Sequence, residues 1–351
     1  MLRRLTATRT AGRESSGVRS SSSAFADAAA RRRYVIVISV LAVLSVGFAV
    51  GLLAWDNPMP FGTRGFWLIA NRRLSNVTVM LLVAVCQAVA TVSFQTVTTN
   101  RIITPSIMGF ESLYRAVQTG SVYFFGIAGV VALQGLWQFG LQIAIMVGLA
   151  MLLYGWLLTG RYANLQVMLL IGIVIGGGLG AIATFMQRLL SPSEFDVLAA
   201  RLFGNISNAD PAYLPLAIPL CVIASALLWM RARRLNVMAL GADTASALGV
   251  NHRRELMIVL FLVAVLMATS TAMVGPMTFL GFLVATLAYQ FADTHDHRYV
   301  FPVAVLIAFT IIAGAYFVMR NVFYAQGVVS IIIELVGGVV FLFVILRKGR
   351  L

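Results

Sequence analysis

Residues 231–254 read RARRLNVMALGADTASALGVNHRR, a polar, arginine-flanked island between two long apolar runs. Arg231, Arg233 and Arg234 follow the first run, and Arg253 and Arg254 precede the second. Basic residues collect on the cytoplasmic side of membrane proteins, so this island is expected inside. A short helix is expected within it. Asp243 beside Gly241 is suited to accept from the free backbone N–H groups at a helix start, and Gly249 suits the left-handed residue that ends one. Ala245 and Leu248 are then expected on one face. A small apolar face ringed by guanidinium groups at a membrane surface calls for a covering protein.

Working outward, the whole chain is apolar. Its 351 residues are 60% hydrophobic and only 11% charged, outside the range of soluble domains. An all-α polytopic membrane protein is expected, with apolar segments at 35–54, 77–97, 107–130, 139–159, 165–187, 212–230, 256–275, 279–291, 300–319 and 327–346. About ten crossings place both termini on one side. Of the 26 Lys and Arg, 19 fall on the side of the island and six on the other, with Arg115 inside a segment, so that side is cytoplasmic. Residues 1–33 read as a disordered basic tail and 34–351 as the transmembrane domain. The net charge of +14 sits in tails and short loops, which fits lipid headgroups and leaves nucleic acid without a basic, aromatic-interleaved face. Cys86 and Cys221 fall inside apolar segments and read as small hydrophobes. Lys348, in the C-terminal tail, is the only lysine, so the chain has no phosphate-binding loop and any ATP hydrolysis belongs to another polypeptide.

Arg233-Arg234-Leu235-Asn236, Leu240-Gly241, Ala245 and Leu248-Gly249-Val250 resemble the coupling loop of FecCD/BtuC-type permeases. These are the membrane subunits of type II ABC importers for iron–siderophore, haem and cobalamin. The resemblance implies a BtuC-like fold of about ten helices and a homodimer or heterodimer of permeases. It also implies two ATPase subunits that carry ATP and Mg and contact Leu240, Gly241, Ala245, Leu248, Gly249 and Val250, and an extracytoplasmic substrate-binding protein. This chain would bind no cofactor of its own. The bacterial cytoplasmic membrane is the implied location, with both termini cytoplasmic.

Further matches run toward both ends. Arg73-Leu74-Ser75-Asn76 aligns with the family's external Arg-Leu-Pro-Arg, so Arg72, Arg73 and Arg320 are the expected docking arginines for the binding protein. Arginine on the outer side runs against the usual bias, and docking supplies a reason. Residues 100–109, NRIITPSIMG, resemble the family's N-P-L-A-x-P-x-x-L-G. Glu111 and Arg115 stand four apart and are expected to pair on one helical face. Gly172, Gly176 and Gly180 allow close approach of another backbone, in a helix that flanks the family's translocation path. Residues 200–210, ARLFGNISNAD, match an external stretch and include a formal glycosylation sequon at Asn205. Gly275, Pro276 and Gly281 resemble the family's G-P-I-G-F-V-G break, although Ala285 and Thr286 replace its Pro-His. The run Asp293-Thr294-His295-Asp296-His297 invites a metal reading, but Asp296-His297-Arg298 through Pro302 matches the family's ordinary loop, so no metal site is assigned.

The expected function is the permease subunit of an ATP-driven importer, with a ferric siderophore as the commonest family cargo and haem or cobalamin as the alternatives within it. An ion-coupled secondary transporter would need titratable residues at membrane depth, for which Glu111 and Glu334 are the candidates. A membrane-embedded enzyme lacks any catalytic constellation within the helices.

Overall fold

The computed structural model describes residues 24–106, 109–132, 135–159, 165–206, 209–323 and 329–348. Among them the chain is helical, in the order α1 (Ala28–Ala54), α2 (Arg64–Val97), α3 (Phe110–Ala132), α4 (Leu136–Thr159), α5 (Leu165–Arg188), α6 (Pro192–Leu202), α7 (Leu214–Met230), α8 (Ala232–Met238), α9 (Ala242–Ala247), α10 (His252–Val274), α11 (Leu280–Ala292), α12 (His297–Asn321) and α13 (Val329–Lys348). Among the described residues, each of the ten expected apolar segments falls mainly on one of the helices α1–α5, α7 and α10–α13. Of the described helices, seven are long and apolar enough to cross a bilayer. Helices are the form that such segments must take, because hydrocarbon offers no partner for a free backbone group.

Three boundaries differ from expectation. α1 begins at Ala28, where the Asp27 side chain accepts from Ala30 N at 2.6 Å, so Arg31, Arg32 and Arg33 are helical rather than part of a tail ending at 33. Phe25 is buried against Tyr34 and Tyr299, and the Thr294 hydroxyl donates to Ala24 O at 2.6 Å, which holds this start in place. Residues 1–23 lie outside the described residues. Residues 64–76, expected as an external loop, form the first turns of α2, started by the Thr63 side chain accepting from Phe66 N. At about 1.5 Å per residue α2 is about 50 Å long and overreaches a hydrocarbon layer of about 30 Å. Arg320, expected in a loop, lies in the last turn of α12.

α2 and α10 form the hub. Of their apolar stretches 78% and 72% is buried, against 11% for α1 and 17% for α5. α2 packs on α10, α12 and α7; α10 packs on α4; α3 packs on α5; and α11 and α13 pack on α12. The rim helices turn large apolar side chains outward, Leu170 and Val174 from α5 and Leu335 and Val339 from α13. A surface of that kind fits lipid or another subunit, not water.

α3 approaches α5 through glycine. A Cβ on Gly176 would lie 3.0 Å from the Gly109 Cα, so backbone meets backbone there, and Gly172 and Gly180 flank the contact. Between α10 and α11 the chain runs unwound through Gly275 and Pro276, and Val274 O accepts from Asn205 N at 2.8 Å. Gly275 and Met277 are buried there, which is where irregular backbone at membrane depth is tolerated.

Candidate functional site

The island holds two short helices, α8 and α9, rather than one. α8 follows α7 directly and buries Ala232, Leu235 and Met238, a three-residue spacing that puts all three on one face. Its polar side is anchored at both ends. Arg231 donates to Glu255 Oε1 at 2.5 Å and Arg234 donates to Oε2 at 3.0 Å. Glu255 lies in the first turn of α10 and is 3% exposed, so both carboxylate oxygens are engaged where water is scarce. At the other end Asn236 donates to Asp296 Oδ1 at 2.9 Å, and its own Oδ1 accepts from His297 N at 3.0 Å and from Nδ1 at 2.5 Å. His297 Nε2 meets the Thr96 hydroxyl of α2 at 2.6 Å. Asp296 caps α12 by accepting from Arg298 N, so the Asp-His-Arg motif is a helix start and an anchor for α8.

α9 is bounded by Gly241 at φ 96° and Gly249 at φ 81°. Gly249 N donates to Ser246 O and Val250 N to Ala245 O, each at 3.0 Å, the paired bonds of a glycine-terminated helix end. Gly241 supplies the N-cap without a side-chain bond; Asp243, expected as the cap, sits in the first turn. The shared apolar face also needs correction. Ala245 is fully buried, whereas Leu240 and Leu248 are each 61% exposed. A helix this short orients only about one and a half turns, and its capping residue Leu248 points away from the side that Ala245 packs. The exposed apolar pair of the island is therefore Leu240 and Leu248.

The three arginines expected to dock a binding protein, Arg72, Arg73 and Arg320, separate into different environments. Arg73 turns inward and donates to Leu52 O, Trp55 O at 2.6 Å and Asp56 O at 2.8 Å, which satisfies the free carbonyls at the end of α1. Arg320 is half-buried and lies near enough to Arg73 to repel it. Arg72 is exposed. The Asn76 and Ser75 departures from the family pattern thus coincide with an arginine used for structure.

In the interior, Glu111 and Arg115 do not pair. Glu111 Oε2 instead accepts from the Thr278 hydroxyl at 2.7 Å, in the unwound stretch before α11, and Arg115 is exposed. Glu111 is drawn to the break because the side chains of that stretch offer donors that a regular helix keeps local. Glu334 of α13 is half-buried. His297 has both ring nitrogens in hydrogen bonds and His295 is exposed, so the two histidines of the His-x-His run face different surroundings. Ser207 of the formal sequon and residues 107, 108 and 327 lie outside the described residues.

Residues 33–347 match the FecCD transport family. The chain belongs to the FecCD transport family. Within it, the chain is 50% identical over 331 residues to the petrobactin import system permease protein FatC of Bacillus anthracis, covering 94% of each. It is 33% identical over 312 residues to the petrobactin import system permease protein YclO of Bacillus subtilis, covering 88% of this chain and 96% of the relative. Its fold is that of a solved structure described as an inward-facing conformation of a metal-chelate type ABC transporter, with a TM-score of 0.76, 22% identity and coverage of 90% of this chain and 99% of the other. This FecCD chain is a multi-pass membrane protein with a BtuC-like permease fold.

Glu255 and His297 anchor the island through hydrogen bonds that the sequence does not announce. Glu255 was visible as the sole carboxylate of residues 250–258, next to five arginines of the island, but its two partners stand 21 and 24 residues away in sequence. His297 stands out in the sequence through the His-x-His run and the Asp-His-Arg motif, neither of which points to Asn236 or Thr96 as its partners.

Proposed function

We propose that this chain is the permease subunit of an ATP-driven importer that carries a ferric siderophore across the bacterial cytoplasmic membrane. The observation that carries this reading is the 50% identity to a petrobactin permease over 94% of both chains. Two permease chains would enclose one pathway, two ATPase subunits with ATP and Mg would sit under the island, and an extracytoplasmic binding protein would dock at the opposite end. Both termini are then cytoplasmic.

The geometry supports a specific way of coupling. Leu240 and Leu248 are the exposed apolar contacts offered to the ATPase, and α8 behind them is bolted to α10 through Glu255 and to α12 and α2 through Asn236 and His297. A displacement of α9 therefore reaches α2 and α10, the helices around which the others pack. Glycine-lined contact between α3 and α5 lets the rim move at small steric cost. Cells expressing the chain with its partner subunits should accumulate iron supplied as ferric petrobactin, and deletion of this chain should abolish that uptake. Restored uptake of haem or cobalamin, with none of ferric petrobactin, would reject the cargo.

A further inference from the structure

Arg101 follows α2 at the island's end of the bundle, in the position where the family's N-P-L-A pattern has proline. Its guanidinium lies over the Tyr289 ring, 4.5 Å from the centroid, and forms no salt bridge among the described residues. A guanidinium stacked by its face keeps its N–H edge for an acceptor. Arg101 and Tyr289 border a groove of about 390 Å³ between α11 and α13, whose wall is mainly apolar and includes Phe282, Leu287, Val340 and Phe343. The groove reaches the outer surface at Phe343, which is 61% exposed. Thr286, where the family has histidine, lines the same groove, and no carboxylate does among the described residues. Two departures from the family pattern therefore meet in one place. One adds a cation, and the other replaces a ring by a smaller side chain beside it. Gln95, in the last turn of α2, borders the groove as well and is 2% exposed. Its Nε2 donates to Arg101 O at 2.7 Å, which sets the orientation of the amide and leaves Oε1 as a buried acceptor without a donor among the described residues.

The groove offers a cationic edge, an acceptor beside it and an apolar trough open to the membrane side of α13. A free phosphate would use the edge and leave the trough empty, and phosphatidylcholine brings no hydroxyl for Gln95. A phosphodiester that carries both hydroxyls and acyl chains uses all three, and basic pockets between membrane helices are where anionic headgroups are held. We propose that the groove between α11 and α13 binds a phosphatidylglycerol-type anionic lipid, with its phosphate on Arg101, a glycerol hydroxyl donating to Gln95 Oε1 and an acyl chain along Phe282, Val340 and Phe343. Gln95, Arg101 and Tyr289 also border a second cavity, of about 590 Å³, whose wall includes Leu240 and Asn236 of the island. Asp296, a carboxylate on that second wall, accepts from Asn236 Nδ2. A bound lipid thus braces residues on which the island rests.

The test is native mass spectrometry of the full permease assembly with its ATPase, titrated with phosphatidylglycerol or phosphatidylcholine, beside photocrosslinking by phosphatidylglycerol that carries a diazirine in one acyl chain. The wild type should retain phosphatidylglycerol in preference to phosphatidylcholine, and the crosslink should map to residues 282–290 and 340–343. Arg101→Gln, at an exposed position, should weaken phosphatidylglycerol binding about five-fold and leave phosphatidylcholine unaffected, and Arg101→Lys should recover part of the loss. Val340→Trp, which fills the trough, should reduce the crosslink without touching the headgroup contacts. Equal retention of the two lipids, unchanged binding in Arg101→Gln, or a crosslink confined to other parts of the protein overturns the site. Complete displacement of the lipid by sn-glycerol 3-phosphate would make it a free phosphate site, and a crosslink lost whenever the permease dimer assembles would make the groove a subunit contact; either overturns the proposal. Lipid binding is read without transport, so a failure of the import reading would leave the site standing.

Discussion

Arg231 at the end of α7 donates to Glu255 at the start of α10 across 2.5 Å, and this contact closes the hairpin formed by the two helices and the island between them. Arg234 takes the second carboxylate oxygen from one turn along α8. A single buried carboxylate thereby fixes the angle at which the island leaves the bundle. Glu255→Ala should leave two guanidiniums without their shared acceptor. Because the Arg231 and Arg234 side chains are 25% and 61% exposed, water recovers part of the loss, and a cost of about 1–3 kcal/mol is expected. Thermal unfolding of the detergent-solubilised protein measures it. Uptake should fall more steeply than stability, and Glu255→Gln should rescue part of both.

Leu248→Asp separates contact from folding. The side chain is exposed, so the protein should retain its melting temperature within about 1 °C, equivalent to less than about 1 kcal/mol for a chain of this length. Copurification of the ATPase and ligand uptake should both be lost. Ala245→Asp, at a fully buried position, should instead destabilise the island by about 3 kcal/mol or more. Normal ATPase recovery and uptake by Leu248→Asp would remove the island from the coupling contact.

Arg72 and Arg73, adjacent in sequence, should behave differently. Arg73→Gln should lower the melting temperature, since three carbonyls around the end of α1 lose their donor at about 1 kcal/mol or more in total. Arg72→Glu should leave stability unchanged, weaken association of the binding protein several-fold and flatten its salt dependence. Unchanged association and an unchanged salt dependence in Arg72→Glu would remove Arg72 from the docking surface.

How far the sequence could be read follows from which signals are local. The ten apolar segments, the broken stretch at Gly275-Pro276 and the bounding glycines of α9 depend on runs and spacings of a few residues, and their positions agree with the structure within a few residues. Pairings across the fold were less accessible. Glu111 was expected to meet Arg115 four residues away, but Thr278, 167 residues distant, supplies the hydrogen bond because the helix break delivers a hydroxyl to it. Arg73 looked like an outward-facing arginine by motif, yet no sequence pattern announces that the free carbonyls of α1 end beside it. The Asn236–His297–Thr96 chain joins three segments that only the packing of α2, α8 and α12 brings together.

Glu334 and Glu111 bear on the energy source. Glu334→Gln keeps the shape of the side chain, and Glu111→Gln keeps an acceptor for Thr278. In an ATP-driven pump neither carboxylate has to carry a proton, so each variant should retain more than about half of wild-type uptake and the same pH profile. Loss of uptake together with loss of its pH dependence in either variant would indicate a proton-coupled carrier.

Import of a ligand under the control of a separate ATPase can be measured in proteoliposomes holding the permease and ATPase subunits, with the binding protein outside and ATP enclosed. Accumulation of radiolabelled ferric petrobactin should require enclosed ATP, stop when vanadate is enclosed, and continue when a protonophore collapses the proton gradient. Accumulation without ATP that disappears on adding the protonophore would instead make the chain an ion-coupled carrier.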